Sequence, residues 1–312
     1  MKRPTILDIA RVAGVSKGAV SYALNGRPGV SVETRARILG IAEELGWVPS
    51  SAARALSSDR AEAVGLIAVR DPELVATEPY FMRMVAGVEK TLSERGMALL
   101  LTVVSDPARE LDLYRRWWGG RRVDGMLLFD MRMDDPRPRW LRKVGAPAVI
   151  IGAQRAYAGI CTRTNCTRTN YQDAMTRAIT HLVDLGHRRL ARISGPHSLE
   201  HVVRRQRYFA DITKKLLGSE QPQVETDYTA TAGVRATREL LARQRRPTAI
   251  IYDNDVMAVA SVSTLTNEGV RVPEELAVLA WDDSRCASWC TPRSAPSRTT
   301  SPRRPASRPS CC

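Results

Sequence analysis

One short segment near the start of the chain carries residues that could form hydrogen bonds with DNA bases. Its pattern predicts a helix over residues 16–24, and Lys17, Gly18, Ser21 and Tyr22 lie on the face away from its apolar positions. Lys17 could donate to guanine O6 and N7, Tyr22 could contact a base edge or a phosphate, and Gly18 would allow close approach of the backbone. The alternative for Lys17 is an exposed lysine that contacts only phosphate or water.

The neighbouring residues predict that this helix is the second of a helix-turn-helix. Thr5 and Asp8 have the spacing of a capping box ahead of a helix over residues 6–13. Gly14 allows the positive φ of a tight turn, and Ser16 can cap the second helix, whose N-terminus suits a phosphate. The alternative is a small helical bundle whose charged residues are merely solvated.

A third helix is predicted over residues 32–45, where Ser31 provides the cap and Gly46 the end. Its apolar face would close a three-helix core. Ala10 and Val20 occupy the positions where a helix-turn-helix needs a small residue and a buried β-branched residue.

Three runs of residues here resemble the DNA-binding head piece of the LacI/GalR family. They are TILDIARVAGVSKGAVSYALN at residues 5–25, VSVETR at 30–35 and LGWVP at 45–49. The resemblance implies a domain that binds one half-site of a double-stranded DNA operator. The head-piece positions expected to contact DNA are Thr5, Ser16, Lys17, Gly18, Ser21, Tyr22, Asn25, Ser31 and Thr34.

Residues 50–56 match the hinge helix of the same family. That helix forms on operator DNA and places a leucine in the minor groove, and Ala53 and Leu56 occupy the inserting positions here. An apolar wedge opens a base step and kinks the duplex. The alternative is an ordinary linker helix, since Ala and Leu favour any helix.

From residue 63 onward, short apolar runs alternate with amphipathic helices, which predicts α/β lobes with parallel sheets. Two lobes with a cleft between them are expected, because the pattern repeats after the middle of the chain. The predicted strands cover residues 64–69, 99–104, 126–129, 148–151, 190–193, 249–252 and 277–280. The predicted helices cover residues 80–95, 107–117, 171–185, 202–217, 234–244 and 255–267.

This second part resembles the effector-binding body of the LacI/GalR family, which is similar to periplasmic sugar-binding proteins. The matching segments are PYF at residues 79–81, RVDG at 122–125, LGHRR at 185–189, DND at 253–255 and WDD at 281–283. The resemblance implies that Arg205, Asn254 and Asp282 hydrogen-bond a small, sugar-like effector at the carboxyl ends of the strands, with Tyr80, Phe81 and Trp281 lining the pocket.

Each polar position has a structural alternative. Asn254 and Asp255 could simply cap the helix that follows them. Arg205, between Arg204 and Arg207, could be a solvated helix charge.

The net charge of +14 is unevenly spread along the chain, so the charge by itself is weak support for nucleic-acid binding. We expect a cytoplasmic protein with reduced cysteines, since no export signal or membrane-length apolar run is present and the six cysteines form no disulfide framework. Four histidines and the absence of a Cys-x-x-Cys pair predict no metal site, and no cofactor is expected.

Two segments depart from the family pattern. The run CTRTN at residues 161–165 is repeated at 166–170, which we interpret as a local duplication in a surface connection. Residues 284–312 contain six arginines, five prolines, four cysteines and no acidic residue, and cannot complete a lobe. We hypothesise that a frameshift produced this aberrant tail. A genuine nucleic-acid-binding extension is the lesser interpretation.

These observations predict four segments: a helix-turn-helix domain at residues 1–48, a hinge helix and linker at 49–60, a two-lobed effector-binding and dimerisation domain at 61–283, and the tail at 284–312. The expected function is a homodimeric, effector-controlled repressor. An alternative is a product that only binds DNA or is non-functional, with an incomplete effector domain. A transport component is disfavoured by residues 1–56, and an enzyme by the lack of a nucleophile elbow, a phosphate-binding glycine loop or metal-ligand spacing.

Overall fold

The computed structural model describes residues 4–48, 60–152, 164–166 and 170–282. The chain divides into two compact units, Met1–Ala61 and Glu62–Cys312. The predicted hinge positions Ala53 and Leu56 and the tail at 284–312 lie outside the described residues.

The first unit is the predicted three-helix domain. Its helices are α1 (Ile6–Ala13), α2 (Lys17–Leu24) and α3 (Val32–Glu44). Ile9, Val20 and Ile38 form the centre of its core and have no exposed surface. Gly14 ends α1 with φ 65°, a left-handed conformation that glycine adopts without steric cost. The helix-turn-helix prediction is confirmed.

The second unit contains two parallel sheets, and helices connect the described strands except between the fourth and fifth. The first lobe, as far as it is described, comprises β1 (Ala63–Val69), α4 (Pro72–Thr77), α5 (Pro79–Ser93), β2 (Ala98–Val104), α6 (Pro107–Gly119), β3 (Gly125–Leu128), α7 (Arg137–Val144), β4 (Ala148–Ile150) and β5 (Thr164–Cys166). The strand order is β2-β1-β3-β4-β5, with every pairing parallel.

The second lobe has the strand order β7-β6-β8-β9, again with every described pairing parallel. Its elements are α8 (Tyr171–Asp184), β6 (Leu190–Ser194), α9 (Glu200–Leu217), β7 (Gln223–Glu225), α10 (Ala230–Leu241), β8 (Ala249–Tyr252), α11 (Asp255–Asn267) and β9 (Ala277–Ala280). Every residue of β6 and β8 is buried, as expected of central strands covered on both faces. The predicted α/β architecture with two sheets is confirmed.

Glycine permits close helix packing on the first sheet. A Cβ atom on Gly65 in β1 would lie 2.9 Å from Cε3 of Trp117, a residue of α6. The indole therefore packs directly against the strand backbone. Trp117, Tyr114 and Leu141 belong to one buried cluster, so α6 and α7 cover the same face of this sheet.

Several element predictions need correction. The helix expected at 234–244 begins earlier, at Ala230, because Thr229 caps it: its Oγ1 accepts a hydrogen bond from Ala232 N at 3.2 Å. The repeat at 161–170 is not wholly a connection, since Thr164–Cys166 pairs with β4 as the edge strand of the sheet. No described helix is long and apolar enough to span a membrane.

Candidate functional site

The exposed face of α2 presents the predicted base-contacting residues. Lys17, Gly18 and Tyr22 are exposed, whereas Ser21 is half-buried. A Cβ atom on Gly18 would find only Ser16 Oγ nearby, at an ordinary 3.7 Å. The fold therefore does not require glycine at this position, and a missing side chain there leaves room for a close ligand.

Caps and turns hold this face in place. Ser16 Oγ accepts a hydrogen bond from Ala19 N at 3.1 Å, and Ser31 Oγ accepts one from Thr34 N at 3.2 Å. Asn25 Nδ2 donates to the Ser21 carbonyl at 2.9 Å. At the start of α1, the Thr5 backbone N–H and hydroxyl both donate to the Asp8 carboxylate, at 2.9 and 2.7 Å. Several predicted contact residues thus also have structural roles.

In the second unit, an arginine follows β1 at the carboxyl edge of the first sheet. Arg70 Nε and Nη2 donate to Asp130 Oδ2 at 3.0 and 2.6 Å, and Arg70 Nη1 also contacts the Glu78 carboxylate. The guanidinium lies 5.1 Å from the ring centroid of Phe129. Burial raises the pKa of Glu78 to about 7, although the charge of Arg70 opposes this shift.

A second arginine lies inside the other sheet. Arg192 in β6 has no exposed surface and makes a bidentate pair with Asp253, Nε to Oδ1 at 2.9 Å and Nη2 to Oδ2 at 2.5 Å. Asp253 directly follows β8. The pair fixes the carboxyl end of that strand.

Arg205 in α9 packs against two adjacent aromatic rings, whose centroids are 6.2 Å apart. Its Cζ is 4.6 Å from the ring centroid of Tyr171 and 4.4 Å from that of Trp281. Nη1 donates to the Asp253 carbonyl at 3.3 Å. Among the described residues, Arg205 Nε is the buried side-chain polar atom that has no hydrogen-bond partner. Such a donor calls for an acceptor that the protein itself does not supply.

Asp282 lies just past the carboxyl end of β9 and makes backbone hydrogen bonds with residues of both lobes. Its backbone N–H donates to Asp255 Oδ1 at 3.0 Å, and its carbonyl accepts a hydrogen bond from Arg83 Nη2 in α5 at 3.0 Å. Burial, reinforced by the negative charge of Asp255, raises the pKa of Asp282 to about 6.

Tyr80 contributes a partly exposed ring from the first lobe. The residue is 40% exposed, and its ring stacks on Phe129 with centroids 6.3 Å apart. Burial, followed by the influence of Tyr171, Asp130 and Asp282, raises the pKa of Tyr80 to about 12. The phenol is therefore a neutral donor and acceptor near groups of both lobes.

Two predicted effector contacts are buried in this structure and make contacts within the protein. Phe81 has no exposed surface and packs in the first lobe's core against Phe129, with ring centroids 5.8 Å apart. Asn254 is 1% exposed and caps α11, since its Oδ1 accepts from Met257 N at 3.0 Å and its Nδ2 donates to the Tyr228 carbonyl at 3.1 Å. The capping alternative therefore describes Asn254.

Other residues of this site escaped prediction. His201 Nε2 lies 3.0 Å from the Tyr228 hydroxyl, and the His201 ring is 6.5 Å from that of Tyr171. Burial, with the nearby positive charge of Arg205, lowers the pKa of His201 to about 4, so the imidazole is neutral at pH 7. Sequence position offered one signal for each of them. Tyr171 directly follows an asparagine that caps a helix, and His201 lies one turn before Arg205.

These observations define a two-part protein, with a helix-turn-helix domain and a separate α/β domain whose polar and aromatic residues gather at strand ends. The model of the lacI family of bacterial regulatory proteins matches residues 5–50. That of the periplasmic binding protein-like domain matches residues 179–303, and so extends past Asp283 into the segment for which we expected no family counterpart.

Known proteins resemble the chain over most of its length. It is 34% identical over 301 residues to the HTH-type transcriptional regulator CelR of Thermobifida fusca, covering 93% of this chain and 85% of the relative. A solved CelR–cellobiose complex has a TM-score of 0.64 and 32% identity, covering 91% of this chain and 84% of that chain. The lac repressor dimer bound to operator has a TM-score of 0.73 at 22% identity, covering 91% of this chain and 84% of that chain, a likeness of fold.

The chain belongs to the LacI family of bacterial regulatory proteins. It is a DNA-binding transcriptional regulator with a periplasmic-binding-protein-like effector domain.

Proposed function

We propose that this protein is a repressor whose operator affinity is set by an uncharged saccharide of the cellobiose class. The observation that carries this proposal is Arg205, whose guanidinium packs against both Tyr171 and Trp281 and whose Nε lacks an acceptor. A sugar hydroxyl would accept from Nε, while aromatic faces pack against the apolar side of a sugar ring.

The charge of the site favours a neutral ligand over an anionic one. The carboxyl groups gathered there exceed the arginines by one. They are Glu78, Asp130, Asp253, Asp255 and Asp282, against Arg70, Arg83, Arg192 and Arg205. The raised pKa values of Glu78 and Asp282 already reflect the cost of placing carboxylates here. A phosphate or carboxylate on the ligand would add to that cost.

Within the site, we propose that Arg205 donates to the ligand and that Asp282 accepts from its hydroxyls. Trp281 and Tyr80 would cover its apolar surface. Asn254 would act by capping α11, and Phe81 by packing against Phe129, on which the Tyr80 ring stacks. The solved complex of CelR with cellobiose supports this choice of ligand class.

For DNA binding, we propose base contacts from the exposed face of α2 and phosphate contacts from the helix N-termini. The base-contacting residues would be Lys17, Gly18, Ser21 and Tyr22. The remaining contacts would come from Thr5, Ser16, Asn25, Ser31 and Thr34, with Ala53 and Leu56 of the hinge segment in the minor groove.

We further propose that the protein acts in the cytoplasm as a homodimer, because one head piece binds only a half-site and a two-fold axis pairs two of them. Its role would be regulatory rather than enzymatic. The proposed segments are the head piece at 1–48, the hinge at 49–60, the body at 61–283 and the tail at 284–312.

The test is cellobiose binding by isothermal titration calorimetry, with a phosphorylated cellobiose as the anionic control. We expect cellobiose to bind and the phosphorylated form to bind at least tenfold more weakly. Tighter binding of the phosphorylated form would contradict the neutral-ligand assignment. Failure of both ligands, with intact operator binding, would favour the alternative of a product that only binds DNA.

A further inference from the structure

We propose that residues 131–133 and 198–200 form a clamp that ties the two lobes together and positions the effector-contacting residues of α9. Arg132 and Leu199 pair as an antiparallel bridge. Glu200 N donates to the Met131 carbonyl at 2.8 Å, and Met133 N donates to the Ser198 carbonyl at 3.2 Å. We call these residues the interlobe clamp. Its link to the effector rests on the proposed function.

On the first lobe, a buried ionic cluster anchors the clamp. Arg137 Nη1 donates to Glu110 Oε1 and Arg137 Nη2 to Asp135 Oδ2, each at 2.5 Å, and these three side chains are at most 1% exposed. Arg132 Nη2 donates to the other oxygen of Glu110 at 2.6 Å. A buried pair is costly to break, so this cluster holds the clamp rigidly on its own lobe.

The same cluster fixes the backbone that leads from β3 to the clamp. Arg137 Nη1 donates to the Phe129 carbonyl at 3.0 Å, and Nη2 to the Asp130 carbonyl at 3.1 Å. Asp130 immediately precedes Met131 and binds Arg70. One side of the clamp is therefore continuous with the charged groups of the site.

On the second lobe, the clamp is continuous with α9. Glu200 is the first residue of that helix, His201 follows it directly, and Arg205 lies one turn further on. A helix moves as a unit, so the backbone hydrogen bond at Glu200 sets the position of both side chains relative to the first lobe. The clamp residues would thus be positioning residues for Arg205 that themselves need not touch the ligand.

The substitution Glu200→Pro removes one clamp hydrogen bond together with the Glu200 carboxylate. Proline is favoured at the first position of a helix, where its missing N–H is not needed within the helix. Leu199 has φ −90° and ψ 129°, the extended conformation that a residue before proline adopts. Glu200→Ala is the matched control, because it also loses the carboxylate, 3.7 Å from Arg204 Nη2, but keeps the N–H.

The first measurement is hydrogen exchange of the Met133 amide in the ligand-free full chain. If the clamp ties the lobes, this amide should exchange at least tenfold faster in Glu200→Pro than in Glu200→Ala, because its own bond to Ser198 belongs to the same bridge. Equal exchange in the two variants would overturn the clamp.

The second measurement is cellobiose affinity of the same two proteins. We expect Glu200→Pro to bind about tenfold more weakly than Glu200→Ala. Equal affinities would overturn the positioning role. If the unmodified chain fails to bind cellobiose, the proposed function fails, and the exchange of Met133 still decides the clamp.

A second pair of variants tests the same inference if Glu200→Pro fails to fold. Met133→Pro deletes the other clamp hydrogen bond, and Met133→Ala is its control; the side chain of Met133 is exposed. In Met133→Pro, relative to Met133→Ala, the Glu200 amide should exchange faster and cellobiose should bind more weakly. A Met133→Pro protein that matches its alanine control in both would contradict the inference.

Discussion

The Arg205 guanidinium lies 4.4 Å from the centre of the Trp281 indole, and the two residues come from a helix and a strand end that are far apart in sequence. The Tyr171 ring lies 4.6 Å from the same guanidinium and only 6.2 Å from the Trp281 ring, so the two rings form adjacent walls around it. The Nε atom is buried and has no acceptor within the protein. A ligand that accepts from Nε would therefore satisfy this donor once the surrounding side chains move apart.

Replacing Arg205 with lysine should weaken cellobiose binding about 10- to 100-fold, because an ammonium group cannot stack on the aromatic rings or present the Nε donor. Isothermal titration calorimetry measures the effect. Arg204→Lys is the matched control on the same helix, and its affinity should not change. Equal losses in both variants would contradict the assigned role of Arg205.

Asp282→Asn should stabilise the folded protein near neutral pH. The pKa of Asp282 is raised from 3.8 to about 6, so between these values the folded state holds a proton that the unfolded state has released. The stability associated with this proton is therefore lost as pH rises through that window. Asparagine does not ionise, and the free energy of unfolding at pH 7.5 should rise by about 1–3 kcal/mol.

Urea denaturation at pH 7.5 and pH 3.5 tests this prediction. The difference between the two proteins should fall to a small fraction of its value at the lower pH, where Asp282 is mostly protonated in both states. Equal or lower stability of Asp282→Asn at pH 7.5 would show that the carboxylate is better stabilised than its surroundings indicate.

Gly18→Ala should separate folding from DNA recognition. Alanine is the better helix former by about 1 kcal/mol, and the added Cβ meets no steric obstacle in the protein, so the head piece should not be destabilised. Operator affinity should fall at least tenfold, because the methyl group would enter the space proposed for DNA.

Gly40→Ala is the control for this experiment, since Gly40 is an exposed glycine of α3 and no atom lies within 4 Å of the position that an added methyl group would take. Thermal denaturation and fluorescence anisotropy on operator DNA provide the two readouts. If the two alanine variants bind the operator equally well, Gly18 is not at the DNA surface.

Arg192→Met should destabilise the second lobe by about 3–5 kcal/mol, because Asp253 would remain as a buried carboxylate without its bidentate partner. The double variant Arg192→Met/Asp253→Asn should recover part of this loss. Denaturation by urea measures both. A double variant less stable than Arg192→Met would mean that Asp253 does not depend on Arg192 for its charge balance.

Local sequence signals were sufficient for the head piece. The capping residues Thr5, Ser16 and Ser31 and the turn at Gly14 all act within a few residues, and α1 has the predicted bounds. The long apolar strands were also predictable. The three-residue strand Gln223–Glu225 was not, because it is too short to show a periodic pattern.

The candidate site was predictable only in part. The family resemblance predicts a role for Arg205 and Trp281. No local pattern predicts the buried strand residue Arg192, which pairs with Asp253 across 61 residues. The sequence alone does not separate Tyr80 from Phe81, because neighbouring aromatic residues look alike. Only the helix orientation separates the exposed Tyr80 ring from the buried Phe81 ring.

The central claim is that a saccharide changes the affinity of this protein for its own operator. Fluorescence anisotropy should be measured on DNA from the upstream region of its gene and on scrambled DNA, over a salt titration, with and without cellobiose. We predict specific binding that cellobiose changes at least fivefold, and no such change for Arg205→Lys. Specific binding that no saccharide alters, or equal binding to scrambled DNA, would contradict the account.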